Sequence, residues 1–133
     1  MSVFVFDSNI LSFYLRQNHQ IIDRVQNTLL KGHEVIISPI AYYEVKRGLM
    51  AIKAEKRLME LAALSKILGV GQPDNTILDY AAEIYNELRN KKQTIEDADI
   101  LTTAFCKSHD FTLVTHNAKH FQNISGLQYC DWI

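Results

Sequence analysis

The sequence predicts an α/β fold, a three-layer sandwich in which a parallel β-sheet is flanked by helices. Two observations predict it. Short runs rich in β-branched and aromatic residues alternate along the chain with stretches of helical periodicity, the order that builds a parallel sheet with crossover helices. Those short runs are almost continuously apolar, as strands buried on both faces are. With 133 residues, 47% hydrophobic and 22% charged, residues 1–133 can bury the core of a single domain.

Val3-Phe4-Val5-Phe6 reads as the first buried strand and ends abruptly at Asp7. Ser8-Asn9 offer capping groups for a helix carrying Ile10, Leu11 and Tyr14. A second helix covers Ile21 to Leu30 and stops at Gly32, and Val35-Ile36-Ile37 is the next strand. Ser38-Pro39 starts a helix, with serine as N-cap and proline where its missing N–H costs nothing. That helix reaches about Leu49, another runs from Ala51 to Leu64, and Ile67-Leu68-Gly69-Val70 is read as a weaker strand. Pro73-Asp74 lead into Ile77, Ala81, Ile84 and Leu88, a helical stripe with Arg89, Lys91 and Lys92 at its C-terminal end. A helix over Asp97 to Ser108 and strands at 111–115 and 127–130 complete the pattern.

Several functional classes are excluded or weakened by composition. A net charge of −1 argues against bulk-charge binding of nucleic acid, so any such contact has to be local. One segment, residues 46–66, carries six basic residues (Lys46, Arg47, Lys53, Lys56, Arg57, Lys66) against Glu55 and Glu60, a net of +4. A solvated helical face is the plain reading of such a run. No apolar stretch approaches a membrane span, and the amino terminus lacks the basic flank of a secretory signal, so a cytoplasmic protein is expected. Cys106 and Cys130 form no disulfide framework. There is no Gly-rich phosphate loop and no Gly-x-Ser-x-Gly elbow, and His116 and His120 lack the further ligands of a zinc site.

The acidic residues carry the chemistry. Sites in sheets of this kind form beyond the carboxyl ends of the strands, where Asp7 stands. Glu44 lies less than two turns into the helix after the second strand, among Tyr42, Tyr43 and Val45. Its plain alternative is an ion pair with Arg47 at i+3. Glu96-Asp97-Ala98-Asp99 puts three acids at a helix start, where the dipole accounts for one or two of them. If both are helical, Glu96 and Asp99 share a face while Asp97 points elsewhere. Clustered carboxylates repel unless a cation lies among them. Asp7, Glu44 and Asp99, with Glu96 as a fourth, are therefore the expected ligand set. All-oxygen donors favour Mg²⁺ or Mn²⁺ over zinc, and such ions activate water against phosphodiesters.

These residues resemble the PIN-domain ribonucleases, and among them the VapC-type toxins of bacterial toxin–antitoxin pairs. The likeness runs nearly end to end: Phe4-Val-Phe-Asp-Ser-Asn-Ile10, then Ile37-Ser-Pro-Ile-Ala-Tyr-Tyr-Glu44, then Asp99-Ile-Leu-Thr-Thr-Ala104, then Leu113-Val-Thr-His-Asn117 with Phe121, Gly126-Leu127 and Asp131-Trp132-Ile133. Ser8 and Thr102-Thr103 depart from the usual residues, and His120 stands where the family often has a further acid.

The resemblance implies a PIN-like fold and an Mg²⁺- or Mn²⁺-dependent endoribonuclease, with tRNA as its substrate class. Carried over residue by residue, Asp7, Glu44 and Asp99 hold metal and activate water, and Thr115 and Asn117 support them at the pocket rim. It also implies a small VapB-like antitoxin as partner, and a homodimer of the toxin within the complex. An exposed apolar groove beside the helices of residues 39–64 is expected for the antitoxin. Two rivals stand beside this reading. A PIN-like domain that has lost catalysis would bind protein or RNA, and His120 in place of an acid favours it. A receiver-like signalling domain also gathers acids at strand ends, but it needs a lysine closing the fifth strand, and none is suitably placed.

Overall fold

A computed structural model describes residues 1–133. Four parallel strands form one sheet in the order β2-β1-β3-β4: β1 (Val3–Phe6), β2 (Glu34–Ile37), β3 (Thr112–Val114) and β4 (Tyr129–Cys130). Between them run α1 (Ser8–Leu15), α2 (His19–Leu30), α3 (Pro39–Ala51), α4 (Glu55–Leu68), α5 (Asn75–Asn90) and α6 (Asp97–His109), with a short 3₁₀ turn at Ala118–His120.

The pleat sorts the strand side chains between two helical layers. Val5, Ile36 and Leu113 face α5 and α6, where they meet Ile77, Ile84, Ala104 and Phe105. Phe4, Phe6 and Val35 face α1 and α2, with Ile10, Ile21, Val25 and Trp132. A third cluster joins Ile37 to Leu11, Val45, Leu49, Leu61 and Leu64, so α3 and α4 pack beside α1. The expected three-layer α/β sandwich is the observed one. No helix is long and apolar enough to cross a membrane.

Three local readings are corrected. The helix expected over Ala51 to Leu64 lies four residues later, because the chain turns at Ile52 to Ala54 with Lys53 in the left-handed region at φ 53°. Residues 67–70 are not a strand. Ile67 and Leu68 are the last turn of α4, Gly69 ends it at φ 85°, and only Val70 reaches the sheet, through one parallel bridge to Ile37. A cluster of β-branched residues near a glycine looks the same in both settings. The cap of α1 is Asp7 itself, whose carboxylate accepts from the Ser8 N–H, rather than Ser8 or Asn9. Ser38 caps α3 as expected, accepting from the Ala41 N–H with Pro39 at the first helical position. Gly71 is a position only glycine fills, since a Cβ there would lie 2.2 Å from the Phe105 ring. Both cysteines are free thiols.

Candidate active site

Asp7 is 7% exposed at the carboxyl end of β1. Its backbone N–H donates to Val114 across the sheet, and its side chain is held at both oxygens. Oδ1 accepts from the Ser8 N–H at 2.9 Å, and Oδ2 accepts from the Thr115 hydroxyl at 2.8 Å. The expectation that Thr115 sits at the pocket rim is corrected, because it is completely buried. Its backbone N–H donates to Cys130, and its Oγ1 in turn accepts from the Asn117 N–H at 3.0 Å. Asn117 is exposed and enters this chain of bonds through its backbone. Thr115 therefore fixes the aspartate from beneath, as the partners of metal-ligating carboxylates do.

Glu44 is half-buried on α3 and makes no hydrogen bond or ion pair. The ion pair with Arg47 does not form. Arg47 instead lies 5.0 Å from the Tyr43 ring centre and donates to its hydroxyl at 3.4 Å. Burial pushes the Glu44 carboxyl above its ordinary range, and Asp7, Asp99 and Glu96 add repulsion that Arg47 only partly offsets. Asp99, in the first turn of α6, is raised as well. Burial is the main cause, with Asp7 and Glu96 adding to it and His120 opposing. The His120 Nδ1 stands 3.0 Å from Asp99 Oδ2.

The condition for Glu96 and Asp99 to share a helical face, that both be helical, is not met. Glu96 is the N-cap of α6, extended at ψ 152° and exposed, so its carboxylate acts on the others only through its field. Asp97 turns away and lines a groove with Ala81, Ala82 and Tyr85 of α5. Asp7, Glu44 and Asp99 are thus brought within one another's field at one end of the sheet. No three acidic, histidine or cysteine side chains stand at chelating distance. The donors are all carboxylate oxygens in excess negative charge, which fits a hard divalent cation in type and sign.

Sequence reasoning missed the residues around these acids. A cleft of about 380 Å³ opens beside Glu44, lined by Ser8, Asn9, Ser12, Arg16 and Arg57 over Val45 and Leu49. Asn9 Oδ1 accepts the His116 N–H at 3.3 Å, which ties the loop after β3 to the start of α1. His116 pairs with Asp131 at 2.8 Å and His120 with Asp99, so the two histidines serve different carboxylates.

The repulsion predicts a sign. A carboxyl raised in the folded state binds its proton more tightly there than in the unfolded chain. Stability without metal is therefore full at low pH and is lost as pH rises through the raised values. In EDTA at pH 7, Glu44→Gln should raise the melting temperature by about 1–3 °C, a gain kept small by solvent screening. The gain should vanish below the ordinary carboxylate range, where Glu44 is itself protonated. A divalent cation held among these carboxylates would reverse the order, with Mg²⁺ as the probe. Thermal melts under the three conditions check this.

The PIN domain family pattern matches residues 4–127. The chain is similar to Ribonuclease VapC1 of Haemophilus influenzae strain R2866, at 26% identity over 131 residues covering 98% of each chain. It is similar to the structure of VapBC-1 from nontypeable Haemophilus influenzae, with 28% identity, a TM-score of 0.84 and 98% of both chains covered. The fold is also that of VapBC2 from Rickettsia felis bound to a DNA fragment from its promoter, at a TM-score of 0.90 and 22% identity over 98% of this chain and 99% of that one. A sheet ending in Asp7, a helical Glu44 and a capped run leading to Asp99 are what this likeness spans, and the chain belongs to the PIN-domain family as a VapC-type ribonuclease.

Proposed function

We propose that the protein is a divalent-metal-dependent endoribonuclease toxin, cytoplasmic and kept inactive by a small VapB-like antitoxin. The observation that carries the reading is the gathering of Asp7, Glu44 and Asp99 at the carboxyl ends of the strands, close enough that Glu44 feels the charge of Asp7 and Asp99, and Asp99 that of Asp7. These three, with Glu96 nearby, would hold Mg²⁺ or Mn²⁺. When bound, such an ion supplies positive charge to the phosphodiester and acidifies a water for attack on it.

The chain's own residues divide the remaining work. Thr115 and the Ser8 N–H hold Asp7 in one orientation, and Asn117 steadies Thr115. His120 orients Asp99. The basic segment 46–66 offsets the negative pocket and steers an RNA backbone toward it. Exposed Tyr43, Met50 and Ile52 on and just after α3, with Met59 on α4, supply apolar surface for an antitoxin helix. Leu78 and Tyr85 on α5, beside the Asp97 groove, support a homodimer contact. The names of the VapBC neighbours support a VapB-like partner, and transfer RNA is the proposed substrate class.

Incubating a total tRNA pool with the purified protein tests the reading. Discrete fragments should appear with Mg²⁺ or Mn²⁺ and disappear with EDTA. Fragments that persist in EDTA would overturn metal dependence. The absence of cleavage together with no calorimetric Mg²⁺ binding would favour a binding module without catalysis, in which the His120–Asp99 pair substitutes for the ion.

A further inference from the structure

We infer that Arg16 and Arg57 form a phosphate subsite next to the carboxylates, holding the RNA backbone phosphate adjacent to the one being cut; this rests on the ribonuclease reading above. Arg16 caps the C-terminal end of α1, and Arg57 lies in the first turn of α4. Both line the cleft beside Glu44, and both also line a smaller recess of about 40 Å³ between α1, α3 and α4. Two like charges from separate helices thus meet at one place. Neither has an acidic partner, since the ion pairs in the protein are His116–Asp131 and His120–Asp99. Neither rests on an aromatic ring, unlike Arg24 over Trp132 and Arg47 over Tyr43.

Paired, unneutralised guanidiniums match a phosphate, which takes their planar forks two bonds at a time. The hydroxyls of Ser8 and Ser12 add donors to the same cleft, and Val45 and Leu49 give it an apolar floor for a ribose. Glu44 lines the same cleft, and the Ser8 N–H, also at its wall, binds Asp7. A polynucleotide, with phosphates at regular intervals, can therefore engage the carboxylates and the arginines together. An acidic peptide has no reason to span both.

The test uses the Asp99→Asn protein in Mg²⁺, binding a fluorescein-labelled single-stranded oligoribonucleotide across a KCl series. Arg16→Ala and Arg57→Ala should each weaken binding by about tenfold and reduce the salt slope by about 0.7, the value for one lost single-strand phosphate contact. Arginine-to-lysine versions should keep the slope. Lys31→Ala, at the opposite end of the sheet just before β2, should behave as the parent. With Asp99 restored, the alanine variants should show a raised KM for RNA and an unchanged kcat. Unchanged slopes in both alanine variants, with cleavage by the wild type intact, would overturn the subsite alone. Weakened antitoxin binding with unchanged RNA slopes would overturn it in favour of an acidic peptide. A wild type that neither cleaves nor binds RNA would overturn the ribonuclease reading and the subsite with it.

Discussion

Asp7→Asn should lower RNA cleavage by about 10²–10³-fold or more while the protein stays folded. The substitution keeps the shape and removes the charge. The asparagine oxygen can still accept the Ser8 N–H, and its amide can donate to Thr115 Oγ1 if the threonine hydroxyl turns elsewhere. The cap of α1 survives, so the cost in stability should be about 1 kcal/mol or less. Without metal, the loss of one charge from the repelling set works in the opposite direction. Asp7→Ala is the contrast. It strips the cap and leaves the Thr115 hydroxyl without its acceptor, so it should lose about 1–3 kcal/mol as well as activity. Initial rates on a tRNA substrate, paired with thermal melts, separate the two effects. Cleavage by Asp7→Asn within a few-fold of wild type would remove Asp7 from the catalytic set.

Much of this site was legible because its acids break local rules. An aspartate directly after four apolar strand residues, and a glutamate with two tyrosines before it on a helix, are visible in a single line of sequence. The Ser38-Pro39 helix start and the Ile77, Ala81, Ile84, Leu88 stripe are equally local, and both formed where expected. What escaped depends on approach in space. The family resemblance names Thr115 as a supporting residue, but its buried place beneath Asp7, 108 positions away, follows only from the parallel pairing of β1 with β3. Arg16 and Arg57 look like ordinary solvated charges until α1 and α4 pack beside α3. The strand read at 67–70 failed for another reason. Isoleucine, leucine and valine around Gly69 suit a buried strand, but the leucine is packed by α1 and α3 as the end of a helix, while Ile67 is 75% exposed. Tertiary packing, absent from a short window, overrode local propensity.

Thr115→Val tests the residue that holds Asp7 from beneath. Valine fills nearly the same volume, so packing is conserved, but two polar groups lose their partner, one on the buried Asp7 and one on the backbone of the exposed Asn117. The Asp7 Oδ2 loses a donor and the Asn117 N–H loses an acceptor. Leaving such groups unsatisfied costs about 1–3 kcal/mol, a fall of about 4–12 °C in melting temperature for a domain of this size. Function should suffer separately. With Oδ2 released, Asp7 is no longer held in one orientation, and losing an outer partner of a metal ligand typically costs about 10–100-fold in metal affinity or activity. The loss should appear as weaker Mg²⁺ binding by calorimetry and a higher Mg²⁺ requirement for cleavage, with KM for RNA unchanged at saturating metal. Thr115→Ser, which restores the hydroxyl but not the methyl, should recover the Mg²⁺ affinity and only part of the stability. A purely structural role for Thr115 predicts the reverse, with metal affinity indifferent to the hydroxyl and stability following the methyl group.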